Sequence, residues 1–313
     1  MAAPADTCRV DRNASGVCTR RVPIAQSKPV VIMQTGVGRH YREPSWLERL
    51  SSLATVRGAP AWLRAPLKRA YNALLEAWPG DHLTCQLPGG ESIRIDPAYR
   101  HLAWNAIEYA AFKACARDGA TMLDVGANVG SYTLLFAGWA GQHGHVYAFE
   151  PAAESRAGLQ RHVDLNGLSD RVTVRAEAIS DHIGNAPFVD AGTHGDNRLA
   201  SRGAPGTTDV PSITIDAFCD DCGVSPSVIK IDIEGAELAA LRGARRTIAR
   251  AGENLAIFVE LHPAIWPSIG VTGALLEEEL HSQGLSIEAL PGVSDPWAVE
   301  GICVRLRRAR CAS

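Results

Sequence analysis

Residues 121–131 read Thr121-Met122-Leu123-Asp124-Val125-Gly126-Ala127-Asn128-Val129-Gly130-Ser131, an apolar run that closes on an acid and a glycine-bearing turn and passes directly into helical periodicity. Glycine at a strand-to-helix turn lets the backbone approach a ligand closely, at the carboxyl edge of a sheet where α/β folds bind cofactors. The stretch from Asp124 to Gly130 is therefore a candidate nucleotide loop. A dinucleotide fingerprint would need glycine at 126, 128 and 131, and Asn128 and Ser131 break it. Asp124 would repel a pyrophosphate and suits a cofactor with a positively charged end.

Working outward, short strands alternate with helices, the pattern of a mostly parallel sheet covered on both faces. Strands are expected at residues 121–125, 145–149, 172–179, 228–233, 255–261, 285–290 and 302–306, with helices at 129–140 and 154–165. This is an α/β, Rossmann-like domain with a seven-stranded sheet. Residues 181–211, rich in Gly, Pro, Asn and Asp, read as an insertion over the sheet edge. Glu150, just past the second strand, is placed to accept hydrogen bonds from both ribose hydroxyls of an adenosine ligand. Glu177, in Ala176-Glu177-Ala178-Ile179, is placed to meet an adenine amino group beside Ala178.

The fourth strand ends in Ile231-Asp232-Ile233-Glu234-Gly235-Ala236-Glu237. Asp232 and Glu234 fall on one side if the strand continues that far, and buried carboxylates are costly unless they bind something. They fit gripping the cofactor's amino-acid end or an acceptor hydroxyl, general-base work, or a hard cation such as Mg²⁺. No third oxygen ligand is evident, so no metal set is assigned, and Glu237 reads as a cap on the next helix. Glu260 and His262 end the fifth strand two residues apart, so the carboxylate is expected to orient the imidazole. His262 and Asp232, with Glu234 beside them, are the candidate catalytic groups.

Taken together, L-D-V-G-A-N-V-G-S-Y, F-E-P, V-I-K-I-D-I-E-G-A-E and V-E-L-H-P, in that order and preceded by Tyr99-Arg100-His101-Leu102-Ala103-Trp104-Asn105, resemble the FkbM family of S-adenosylmethionine-dependent methyltransferases over about residues 95–290. The resemblance implies the class I methyltransferase fold and methyl transfer, mainly to hydroxyl oxygens of sugars and natural-product scaffolds. It also implies that Asp124, Gly126, Asn128, Gly130 and Glu150 hold S-adenosyl-L-methionine. A nicotinamide-dependent oxidoreductase shares the fold and Glu150, and a binding module without turnover shares the fold alone.

Composition bounds the rest. At 313 residues, 46% hydrophobic and 21% charged, the chain is long enough for one large domain with an extension. Residues 1–80 carry a formal charge of +7 and the remainder −10, which disfavours a nucleic-acid partner, while the small-molecule or carbohydrate hydroxyl expected as acceptor is what the family resemblance implies. Residues 1–44 read as a poorly ordered arm, 45–118 as a helical and hairpin extension, and 119–310 as the catalytic domain. Within the extension, residues 62–78 form a basic amphipathic pattern, expected to pack on the protein body rather than on an anionic membrane. Asp6 and Arg9 interrupt any N-terminal apolar stretch, so a cytoplasmic location is expected. In such a compartment the eight cysteines are expected to be thiols, including the Cys219-Asp220-Asp221-Cys222 pair, which lacks a partner pair for zinc.

Overall fold

The computed structural model describes residues 81–308 apart from 101, 191, 193–196, 202, 294, 298 and 299, together with the backbone at 33–34 and 39–41 and Pro66. The central sheet is built from β1 (Thr121–Val125), β2 (His145–Phe149), β3 (Val172–Arg175), β4 (Val228–Ile231), β5 (Ala256–Leu261), β6 (Leu285–Ala289) and β7 (Ile302–Arg308). Their order across the sheet is 6-7-5-4-1-2-3. Only β7 runs against the others. The chain reverses direction across the sheet between β1 and β4, and at such a switch point the loops after neighbouring strands diverge and leave a crevice.

The sequence forms these strands for a local reason. β4 reads Val-Ile-Lys-Ile and all four residues are buried, as a strand covered on both faces must be. Alternate residues go to opposite faces. Met122 and Phe258 join one core cluster, whereas Leu123, Val125, Ile257 and Val259 join the other. The helix α1 (Ala106–Cys115), capped by the Asn105 side chain, lays Phe112 into the first cluster with its ring centroid 4.7 Å from that of Phe258. The expected boundary at residue 118 therefore falls between elements that share one core. Trp104, fully buried, donates from Nε1 to the Ser131 carbonyl at 2.9 Å and ties the extension to α2 (Ser131–Trp139).

Three expectations are corrected. The third strand ends at Arg175, and Ala178–Ile179 instead pairs in parallel with residues Thr208–Ile213. The expected insertion is a second sheet of four strands, with Gly184–Val189 and Arg198–Leu199 completing it. Its polar turns hid strands whose pairing is antiparallel and local. Finally, Met33–Gln34 and Arg39–Tyr41 are strands within the expected arm, the second pairing with Trp104–Asn105. The basic pattern at 62–78 lies outside the described residues save Pro66, which is helical. Cys219 and Cys222 are free thiols on α4 (Ile215–Cys222), the helix that follows α3 (Ala153–Leu165) in the chain, the first buried and the second exposed. No helix among the described residues is long and apolar enough to cross a membrane.

Truncating Phe258 removes the ring on which the extension packs. Phe258→Ala is expected to cost about 3–5 kcal/mol in urea unfolding; a loss below about 1 kcal/mol would place the extension outside the core.

Candidate active site

A cleft opens at the carboxyl ends of β1, β2, β4 and β5. The predicted loop shapes it, though in an unexpected way. The N–H groups of Gly126 and Ala127 both donate to the Phe149 carbonyl at 3.0 Å, and that of Gly130 donates to Ala127. The first two groups lock β1 to β2 and the third closes the turn, instead of facing a ligand. The glycines are required by neighbouring atoms: Gly126 has φ +76°, and a Cβ there would lie 1.7 Å from the Asp232 carbonyl oxygen. At Gly130, φ +92°, a Cβ would meet Leu159 at 2.5 Å. Asn128 is itself left-handed, φ 47°, a conformation asparagine tolerates, and lines the cleft.

Glu150 is 4% exposed, with one carboxylate oxygen accepting from the Asn128 N–H at 2.8 Å and the other from the Ala152 N–H at 2.9 Å. Burial pushes its carboxyl up to about 7 despite these donors. Glu177 lines the cleft beside Ala178 and pairs with Arg175. From the second sheet, Phe188 and Leu199 face the same space, two residues that sequence reasoning did not single out.

Asp124 stands behind the cleft. Its carboxylate accepts from the Thr133 hydroxyl at 2.6 Å and lies 3.7 Å from the Lys230 ammonium, so it backs the loop where the sequence reading had it face a ligand. Burial raises its carboxyl above the usual range, opposed by Lys230. Gly130 likewise sits behind the lining. Lys230 was missed, although a lysine inside a four-residue buried strand is itself a signal, because such a charge requires partners. Its Nζ donates to Asp232 Oδ2 at 3.0 Å, and burial, which opposes the charge, is outweighed by Asp232, Asp124 and Glu260, so the ammonium stays protonated.

β4 stops at Ile231, so the strand alternation expected for Asp232 and Glu234 does not apply. They are brought together by a turn in which Glu234 is left-handed, φ 48°. His262 is 3% exposed, and Glu237, not Glu260, orients it, with Glu237 Oε1 2.7 Å from Nδ1. Glu237 is fully buried at the start of α5 (Glu237–Arg242). It also accepts from the Gly235 N–H and from Trp266 Nε1, both at 2.8 Å, which is more than the cap the sequence suggested. Nε2 of His262 then faces Glu234 at 3.5 Å, Glu260 at 3.7 Å and Asp232 at 4.0 Å. Burial would lower the ring's pKa, but Glu237, Asp232 and Glu234 raise it to about 9. Glu260, facing Asp232 and partly buried, is raised well above the carboxylate range.

A mostly parallel sheet with order 6-7-5-4-1-2-3, with an acid after β2 and an acid cluster after β4 and β5 at its carboxyl edge, has the class I methyltransferase fold. Residues 124–287 match the methyltransferase FkbM domain model, and the chain belongs to that family. A hexuronic acid methyltransferase, AglP, of Haloferax volcanii is 27% identical over 171 residues, 54% of this chain and 66% of that protein. The crystal structure of an FkbM methyltransferase from Methylobacillus flagellatus KT is 22% identical, with a TM-score of 0.42 over 60% of this chain and 43% of that one. An S-adenosylmethionine-dependent O-methyltransferase from Thermotoga maritima is 12% identical, with a TM-score of 0.40 over 76% of this chain and 81% of that one. The chain thus spans just under two thirds of the archaeal relative's length.

The two kinds of glycine constraint separate in one experiment. Gly119, φ +75°, has nothing within 4 Å of a built Cβ, so Gly119→Ala is expected to cost only about 1–2 kcal/mol of left-handed strain. Gly126→Ala adds a clash with strand backbone and should cost well beyond that in thermal or urea unfolding. Equal costs would show that the close approach to Asp232 is unimportant.

Proposed function

We propose that this protein transfers a methyl group from S-adenosylmethionine to a hydroxyl oxygen of a sugar, polysaccharide or natural-product scaffold. The charge of the cleft carries the reading. Glu150, Glu177, Asp232, Glu234 and Glu260 line it, with Arg198 as a basic lining residue; Glu260 holds its proton and Glu150 is half-ionised near pH 7, so the negative charge gathers at Asp232, which, against burial, Lys230 keeps below the usual carboxylate range. Such a surface attracts a sulfonium and an ammonium and repels the pyrophosphate of a nicotinamide dinucleotide. The Asn128 Oδ1, buried with no hydrogen-bond partner, is an acceptor awaiting a donor. The carbohydrate part of the reading is supported by the named activity of the archaeal relative.

Glu150 would hold the ribose hydroxyls, Glu177 and Ala178 the adenine edge between Phe188 and Leu199, and the acids after β4 the methionine end. Asp124 and Gly130 would act from behind by fixing the loop that Gly126 and Asn128 present to the cleft. When bound, S-adenosylmethionine supplies a methyl on a positively charged sulfur, which the acceptor oxygen displaces in line as its O–C bond forms and its proton leaves. The protein has to align that oxygen and take the proton. With its pKa near 9, the His262 ring already carries a proton at neutral pH. The accepting oxygen is then a carboxylate of Asp232 or Glu234, which the His262 ring faces at 3.5–4.0 Å.

Glu150 accepts from hydroxyls best as a carboxylate, and its pKa of about 7 puts that change within reach. S-adenosylmethionine affinity by calorimetry is expected to rise about tenfold from pH 6 to pH 8 as the ionised fraction grows. The sign for stability is opposite. The fold holds this proton more tightly than the unfolded chain does, so stability falls as pH rises from the unfolded value toward 7. Glu150→Gln should bind weakly and without that pH dependence, and pH-independent affinity in the wild type would remove Glu150 from the ribose role.

Transfer of labelled methyl into a panel of hydroxylated acceptors that includes hexuronic acids tests the reaction itself. At saturating cofactor, Asp232→Asn or Glu234→Gln is expected to lower kcat by about 10²-fold or more. Full activity in both variants would take the proton elsewhere.

A further inference from the structure

We propose that Asp232, Glu234 and His262 together form a site for one divalent cation of the Mg²⁺/Mn²⁺ class. The sequence supplied two adjacent carboxylates and no third ligand. The fold supplies it from the end of β5, since one ligand atom from each of the three residues lies within 4.8 Å of the others. Ligands of a single ion bonded at about 2.1–2.2 Å stand about 3–4.4 Å apart. Shifts of a few tenths of an ångström in the Asp232 and Glu234 side chains, each about one quarter exposed, would close the set.

Independently of the two acids, the imidazole is set as a ligand. The His262 side chain is only 4% exposed, yet its Nε2 lies 3.5–4.0 Å from the facing carboxylates, beyond the 2.7–3.2 Å of an N–H···O bond. A cation there would take the place of the proton that the facing carboxylates otherwise hold on Nε2, so its uptake releases that proton. Glu237 grips Nδ1 at 2.7 Å and is itself anchored by the Gly235 N–H and Trp266. A carboxylate behind a histidine fixes which ring nitrogen points forward and raises its basicity as a ligand. Lys230 plays the corresponding part for Asp232, holding Oδ2 at 3.0 Å and leaving Oδ1 on the His262 side. Two carboxylates and one imidazole suit Mn²⁺ and Mg²⁺, with water or an acceptor oxygen completing the shell, and offer no thiolate to select softer metals.

What the cation would do rests on the methyl-transfer reading: placed against the acceptor hydroxyl, it would stabilise the alkoxide as the proton leaves. Its binding does not rest on that reading. The test is titration of the EDTA-stripped full-length protein with Mn²⁺, following free Mn²⁺ by electron paramagnetic resonance, with S-adenosylmethionine affinity measured in parallel by calorimetry. The expected result is saturable uptake of one Mn²⁺ per chain, weakened at least tenfold in each of Asp232→Asn, Glu234→Gln and His262→Gln. Glu253→Gln, an exposed residue away from the cleft, should bind as the wild type does. If His262→Gln fails to fold, the partly exposed Glu234→Gln decides the outcome. No saturable uptake at millimolar Mn²⁺, or wild-type affinity in the ligand variants that fold, overturns the site. S-adenosylmethionine binding without Mn²⁺ uptake overturns the cation alone, and Mn²⁺ uptake without S-adenosylmethionine binding overturns the methyl-transfer reading alone.

Discussion

The Lys230 ammonium, buried between Asp124 and Asp232, is the interaction on which the site depends. It joins the carboxyl end of β1 to that of β4, the two strands between which the chain reverses direction across the sheet. Removing one member of such a group leaves uncompensated charge in the interior, a penalty of about 3–5 kcal/mol. Its contribution is as much positional as energetic. Asp124 cannot turn toward the cleft, and Asp232 is held with one oxygen inward and the other toward His262.

Gly126 makes the same junction from the backbone side. Because its Cα has no side chain, the first loop lies against the Asp232 carbonyl, and the Asp232 N–H donates to the Val125 carbonyl at 3.0 Å. The N–H groups of Gly126, Ala127, Asn128 and Gly130 are used on Phe149, Glu150 and Ala127, so what faces a ligand is the Asn128 side chain together with side chains at the ends of β1, β2, β4 and β5 and from the second sheet. The glycines are therefore architectural, and the recognition chemistry is carried by acids.

These acids divide into two environments. Glu150 sits among backbone donors with a pKa near 7, set mainly by burial, whereas Asp232, Glu234 and Glu260 crowd the His262 ring and perturb one another. One end of the cleft is thus suited to neutral hydroxyl donors and the other to positive charge. That polarity is what a nucleoside carrying a cationic amino-acid tail requires.

The sequence by itself determined the strand–turn–helix unit at 121–139, six of the seven central strands to within two or three residues, the acid after β2 and the acid pair after β4, because each rests on local periodicity and turn chemistry. The third strand was overextended since Ala178–Ile179 keeps strand character while changing sheets, a choice made by pairing with residues more than thirty positions later. Only the tertiary structure decided that Glu237 rather than Glu260 orients His262, that Lys230 neutralises Asp124 and Asp232, and that His262 meets the acids of another strand. The physical reason is common to all three. In a parallel sheet the strand ends meet only after a crossover through a helix, so which side chains face one another is fixed by strand register and packing, information that no local stretch of sequence contains.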